Sequence, residues 1–150
     1  MELSLMEQLI ASLRVTLANT YEMYFKAHGH HWNVEGVEFP QYHKFFQKLY
    51  ESLHDAADPI AEEIRKLDGQ APYGLNMITQ FKTVKDSAIF GNNLRDMLLD
   101  LQNANNECID ALNESFKLAS EQNLQGLMNF LAGRLEDHTK HGWMLRASLK

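Results

Sequence analysis

Residues 39–67 of this chain, FPQYHKFFQKLYESLHDAADPIAEEIRKL, carry the pattern that decides its fold. At about 100° per residue, the apolar side chains of this segment fall on a single stripe of an α-helix. The stripe comprises Tyr42, Phe45, Phe46, Leu49, Leu53, Ala56, Ile60, Ile64 and Leu67. Roughly opposite it lies a second set, which we call the polar row: His43, Gln47, Glu51, His54, Asp58 and Glu62. The segment is therefore predicted to bury one face and to present metal-ligand side chains, with no lysine or arginine, on the other.

The spacing of the polar row suits an antiparallel copy of the same helix across a two-fold axis. Such an interface must be self-complementary, and here His43 would meet Glu62 while Gln47 meets Asp58. In one chain, fifteen residues of helix separate His43 from Asp58 by about 22 Å, so a single chain cannot bring both to one ion. We interpret the row as a metal site shared between two subunits, present twice per dimer. The alternative interpretation is an ordinary solvated helix face.

The composition fits one helical domain of 150 residues, 45% of them hydrophobic, with three prolines and eight glycines. No apolar run approaches the roughly 20 residues that span a membrane, and the first residues lack the pattern of a signal peptide, so a cytoplasmic location is expected. Cys108 has no partner for a disulfide and is expected to be a small buried hydrophobe. The formal charge of −6 argues against a general polyanion binder.

The helical periodicity predicts an all-α fold with four long helices, at about residues 3–28, 39–67, 88–120 and 124–149. Gly29 and the stretch at residues 33–36 are expected to break or end the first helix. Gly69 is expected to cap the second helix, and Pro59 should bend it. Residues 70–87 form a long crossover with room for one short helix around residues 76–81. Two short links and one long crossover predict a four-helix bundle of ferritin-like connectivity, as a single domain over residues 1–150.

The pattern is compatible with two kinds of metal site, one inside the bundle and one shared between subunits. Glu51 and His54 form a Glu-x-x-His motif, which in di-iron bundles ligates a metal inside the bundle. That site needs a second such motif on the fourth helix, and Glu136, Asp137, His138 and His141 do not supply it. The shared site needs another ligand near His43, for which His31 is the natural candidate, with His28 and His30 beside it in the chain. Imidazole and carboxylate ligands suit iron or zinc.

The segments AHGHHWNVEG at residues 27–36 and DPIAEEIRKLDG at residues 58–69, with Phe39 and His43 between them, resemble the Dps family of mini-ferritins. The resemblance implies a twelve-subunit shell that oxidises Fe(II) with hydrogen peroxide or oxygen, stores the ferric mineral and limits oxidative damage. It implies an iron centre at the two-fold interface, with His31 and His43 from one subunit and Asp58 and Glu62 from its partner. Trp32 would lie beside that centre.

Three features depart from the family pattern. Gln47 stands where an acidic residue is usual, which predicts a weaker second iron position that Glu51 could partly compensate. Residues 123–129, NLQGLMN, carry no acid where the family has acidic pores, so electrostatic steering of Fe(II) is expected to be weak. No basic tail offsets the negative charge, so direct DNA binding and nucleoid compaction are not expected.

The sequence leaves three other functions open besides the ferroxidase. One is a structural shell whose metal centre is impaired by Gln47. Another is a smaller assembly, such as a dimer, that binds zinc or another divalent ion at the shared site, with His54 and Glu51 as weaker candidate ligands. The third is the nucleoid-compacting module that the charge disfavours. The roles of His28 and His30 are undetermined at this level.

Overall fold

The computed structural model describes residues 2–87 and 93–150, and these form five α-helices with no strand among them. The helices are α1 (Leu5–Asn33), α2 (Phe39–Lys66), α3 (Gly74–Phe81), α4 (Leu94–Glu121) and α5 (Gln125–Leu149). Helix α1 packs along both α2 and α4, and α5 packs along α4. The long crossover between α2 and α4 contains α3, which also packs on α1. The predicted four-helix bundle and its short crossover helix are confirmed.

The helix ends correct two predictions. Helix α1 continues through Gly29 to Asn33 because His30 and His31 turn inward and are buried, and it ends where the Val34 N–H donates to the His30 carbonyl. At the end of α2 the left-handed conformation falls on Asp68, with φ of 65°, and not on Gly69. Gly69 is needed for a different reason, since a Cβ atom there would lie 2.7 Å from Ile10 Cγ2. The predicted start of the third long helix, Ala88, lies outside the described residues.

The apolar stripe of α2 faces the core as predicted. Its buried members are Phe46, Leu49, Leu53, Ala56, Ile60 and Ile64, and Tyr42, Phe45 and Leu67 are half-buried at its edges. Cys108 is also buried, as expected, and burial raises the pKa of its thiol to about 12. The polar row of α2 is consequently held on the outside of the bundle by the packing of the opposite stripe.

A neutral amide fixes one part of the crossover to the bundle. Asn19 of α1 is fully buried, and its Oδ1 accepts hydrogen bonds from the backbone N–H groups of Thr83 (2.7 Å) and Val84 (3.1 Å). Its Nδ2 donates to Thr83 Oγ1 at 2.8 Å. Val84 is buried in the core beside these bonds, so the amide satisfies backbone groups that would otherwise be desolvated without partners.

A largely buried carboxylate, with a side chain 11% exposed, fixes the next part of the crossover. Asp100 of α4 accepts hydrogen bonds from Lys26 Nζ, His30 Nε2 and Ser87 Oγ, each at 2.8 Å. Burial by itself would raise the pKa of Asp100, but the hydrogen bonds from His30, Lys26 and Ser87 outweigh it and lower the pKa to about 2. The cluster thus joins α1, α4 and the crossover through one charge.

Replacing Asp100 with Asn should destabilise the protein by about 3 kcal/mol, because Lys26 would stay buried without its counter-charge. The folded pKa lies below the ordinary value of 3.8, so this contribution is present above about pH 4 and is lost as the pH falls towards 2. Urea unfolding at pH 7 and at pH 3 measures both effects. Asp110→Asn, at an exposed position of the same helix, is the control, and equal stability of the two variants at pH 7 would contradict the assignment.

Candidate metal centre

Two histidines meet where α1 ends and α2 begins. His31 Nδ1 donates to the backbone carbonyl of His43 at 2.6 Å, and His43 Nδ1 donates to the carbonyl of His31 at 2.7 Å. The two rings stack with centroids 3.8 Å apart and planes 14° from parallel. A carbonyl can only accept, so each Nδ1 carries a proton. In the neutral ring this leaves the lone pair on Nε2, which is the arrangement that metal-ligating histidines use.

A tight turn brings the second histidine back to the first. Gly36 adopts φ of 113°, a conformation that residues with a Cβ rarely take, and its carbonyl accepts from the N–H of Phe39 at the first position of α2. Val34 anchors the turn, being only 1% exposed. Phe39 then stacks on the outer face of His43 at 4.7 Å. The turn and the ring stack together orient the imidazole pair.

An aromatic wall flanks the histidine pair, and sequence reasoning had not assigned it. His28 lies against Tyr50 (4.3 Å between ring centroids) and Trp32 (4.1 Å), and Tyr50 meets the ring of His31 edge-on at 5.2 Å. Burial, followed by the neighbouring His31, lowers the pKa of His28. His28 is thus a packing residue of the wall. The i, i+3 and i, i+4 spacing of aromatic rings in residues 21–32 is the sequence signal that could have indicated it.

The remaining predicted ligands lie farther along α2. Asp58 and Glu62 are one helical turn apart and exposed, and neither has a hydrogen bond or ion pair among the described residues. Gln47 Nε2 donates to Glu51 Oε1 at 2.9 Å, and the ring of His54 packs on Tyr24 at 5.3 Å. Within residues 2–87 and 93–150 of one chain, no three His, Cys, Asp or Glu side chains converge as a metal site.

The one chain therefore contains two candidate half-sites. His31 and His43 form one, and Asp58 with Glu62 forms the other; among the described residues, neither the two Nε2 atoms nor the two carboxylates have a hydrogen-bond partner. The donor set suits iron or zinc, since neutral imidazole and carboxylate both ligate these metals. The chain itself does not bring the two halves together.

Inside the bundle, the buried His138 has no ring nitrogen free to bind a metal. His138 is fully buried, and its Nδ1 donates to Asn105 Oδ1 at 2.8 Å while its Nε2 accepts from Arg134 Nη2 at 3.1 Å. Burial lowers the pKa of His138 well below its usual range, which agrees with a neutral ring. Both ring nitrogens are engaged, and Glu51 and His54 face outward. The arrangement disfavours the intra-bundle interpretation.

Comparisons with known proteins agree on one family for this chain. The family described as ferritin-like domain matches residues 10–150. General stress protein 20U of Bacillus subtilis is 29% identical over 144 residues, which cover 95% of this chain and 98% of the relative. Among the described residues, no helix is both long enough and apolar enough to cross a bilayer.

Solved structures agree in fold over nearly the whole chain. A Dps protein from Bacillus brevis has a TM-score of 0.92 and 26% identity, with 100% of both chains covered. A DPS protein from Vibrio cholerae O1 has a TM-score of 0.91 and 25% identity, covering 97% of this chain and 91% of that one. The latter is described as a member of a broad superfamily of ferritin-like diiron-carboxylate proteins.

The carbonyl partners of His31 and His43 predict their tautomers. In the metal-free protein the neutral form of both rings should carry its proton on Nδ1, whereas the exposed ring of His54 has no hydrogen-bond partner among the described residues that would fix its tautomer. Solid-state NMR of protein labelled with ¹⁵N-histidine reports the tautomer from the imidazole nitrogen shifts, and His31→Gln and His43→Gln variants assign the signals. Signals of Nε2–H rings from His31 or His43 would contradict the geometry.

Proposed function

The chain belongs to the ferritin-like family, and from that premise we propose that it is a Dps-type mini-ferritin that oxidises Fe(II) and stores the ferric product. The oxidant is hydrogen peroxide or oxygen, and the benefit is protection against oxidative damage. We further propose a cytoplasmic homo-oligomer, the twelve-subunit shell that the Dps resemblance implies. The chain's charge of −6 gives no support to direct DNA binding.

The observation that carries this proposal is the imidazole pair of His31 and His43, whose Nε2 atoms have no partner among the described residues. The carboxylates that would complete the site, Asp58 and Glu62, lie far along α2. An antiparallel copy of α2 across a two-fold axis would bring Asp58 and Glu62 of the partner subunit to His31 and His43. The same operation builds a second, identical site. Each site would then have two neutral nitrogen donors and two anionic oxygen donors.

The two kinds of donor would have different roles. The carboxylates bind Fe(II) and favour the higher charge of Fe(III), because each negative charge lowers the energy of the oxidised ion more than that of the reduced one. The imidazoles are neutral donors, so they would bind the substrate ion without adding negative charge. Two Fe(II) ions supply the two electrons that reduce one hydrogen peroxide to two waters, with two protons taken up.

A second candidate, a structural shell with an impaired metal centre, is favoured by one observation. Gln47 occupies the position of the usual acid, and its amide N–H bonds to Glu51 Oε1 at 2.9 Å. That bond leaves the amide oxygen as a neutral donor and engages one oxygen of Glu51. The site therefore lacks one negative charge at the second iron position, and Glu51 is only partly available to replace it.

Replacing the carboxylates of Asp58 and Glu62 should distinguish a ferroxidase from a structural shell. In the Asp58→Asn/Glu62→Gln double variant we expect Fe(II) oxidation with peroxide to fall by at least about tenfold, because two anionic ligands become neutral amides. Stopped-flow absorbance measures the rate, and mass measurement checks that the variant assembles as the unmodified protein does. The matched control is Asp55→Asn/Glu63→Gln on the same helix. Equal, slow oxidation in all three proteins would favour the structural shell.

Replacing Gln47 with Asp should strengthen the second iron position. We expect more Fe(II) bound per site and a faster initial oxidation, because the new carboxylate supplies the missing charge. Anaerobic Fe(II) titration gives the stoichiometry, and Gln41→Asp, at an exposed position six residues earlier on α2, controls for added charge. An unchanged stoichiometry and rate would show that Gln47 does not limit the site.

A further inference from the structure

One tyrosine of the aromatic wall is in direct contact with the histidine pair. The ring of Tyr50 meets the ring of His31 edge-on, with centroids 5.2 Å apart and planes at 70°. Among the described residues, the other rings in contact with His31 or His43, apart from each other, are those of His28 and Phe39. A phenol loses one electron far more readily than imidazole or benzene. Tyr50 is therefore the oxidisable ring in contact with the candidate ligands.

Packing on both sides fixes the position of the Tyr50 ring. His28 stacks on it with centroids 4.3 Å apart and planes at 29°, and Tyr24 meets it at 6.0 Å. The Tyr50 side chain is half-buried at the edge of the core. Electronic coupling between two groups falls steeply with their separation, so a short and fixed ring contact with His31 favours electron transfer towards an ion bound there.

The chemistry proposed for the site requires a second electron donor whenever one iron is bound. Reduction of hydrogen peroxide to two waters takes two electrons, and a single Fe(II) supplies one. Gln47 is neutral and its amide bonds Glu51 Oε1 at 2.9 Å, so single occupancy is expected to be common in this chain. Without a second donor, one Fe(II) cleaves peroxide to a hydroxide ion and a free hydroxyl radical.

We propose that Tyr50 is the second electron donor at the singly occupied site, an inference that rests on the proposed function. Fe(II) and the Tyr50 phenol each give one electron to the peroxide, and its O–O bond breaks. The phenolic proton and one proton from solvent complete two waters. The other products are Fe(III) and a neutral tyrosyl radical, so no hydroxyl radical is released.

Trp32 is the competing donor, and its position favours it less. The indole is 64% exposed and contacts the ring of His28 at 4.1 Å. Among the described residues it has no ring contact with His31 or His43, so the ring of His28 lies between the indole and the candidate ligands. Tyr50 contacts His31 with no ring between them.

Electron paramagnetic resonance at controlled iron loading tests the proposal. The metal-free assembly receives one Fe(II) per candidate site without oxygen, then one peroxide per iron, and is frozen. We expect a protein radical whose spectrum narrows when the tyrosines are ring-deuterated. The signal should be smaller at two or more Fe(II) per site, because the second ion then supplies the electron.

The Tyr50→Phe variant should lose this radical signal, because it keeps the ring that packs on His28 and removes the phenol. Spin trapping should then detect several-fold more hydroxyl radical in solution. Tyr42→Phe is the matched control, since Tyr42 is a half-buried tyrosine of the same helix whose ring contacts are with Phe45 and Phe46. Mass measurement checks that both variants assemble.

The outcomes separate this inference from the proposed function. A tyrosyl signal that persists unchanged in Tyr50→Phe would overturn the inference. So would a radical that deuterated tyrosine leaves unchanged and that Trp32→Phe removes. Fast Fe(II) oxidation with no protein radical at single loading would overturn the inference and leave the ferroxidase proposal standing. No Fe(II) oxidation by the unmodified assembly would overturn both.

Discussion

The reciprocal bonds between His31 and His43 are the constraint on which the candidate site depends. Each ring donates to the backbone carbonyl of the other residue, so the end of α1 and the start of α2 are held in one register. The same bonds fix which ring nitrogens remain free. Because α2 is thereby set against α1 along its apolar stripe, the polar row is directed outward, where we propose that a second chain completes the site.

The bundle is held together unequally on its two sides. Asn19 of α1 and Asp100 of α4 fix the crossover to these two helices through hydrogen bonds to Thr83 and Ser87, and Asp100 also bonds Lys26 and His30 of α1. Between α2 and α5 the described residues form no comparable polar cluster, and a groove remains. The side of the bundle formed by α1, α4 and the crossover is therefore the more tightly joined of the two.

Local periodicity was sufficient to predict α2, its two faces and the crossover helix, because these depend on residues three and four apart. It could not assign His30, whose partner Asp100 lies 70 residues away, or the network of Asn105, His138 and Arg134 between α4 and α5. Such pairs are visible only once the helices are packed. For the candidate site, the sequence proposed four ligands, and the fold brings His31 to His43 but leaves Asp58 and Glu62 as a separate half-site.

The state of Cys108 has a consequence for a protein that we propose works with peroxide. Peroxide attacks the thiolate, and this thiol is buried with a pKa of about 12, so the reactive form is almost absent at neutral pH. Its Sγ also lies against the backbone carbonyl of Asn19 inside the core. Sulfenic acid formation, the first step of cysteine oxidation, is therefore suppressed, and repeated turnover need not damage the packing around α4.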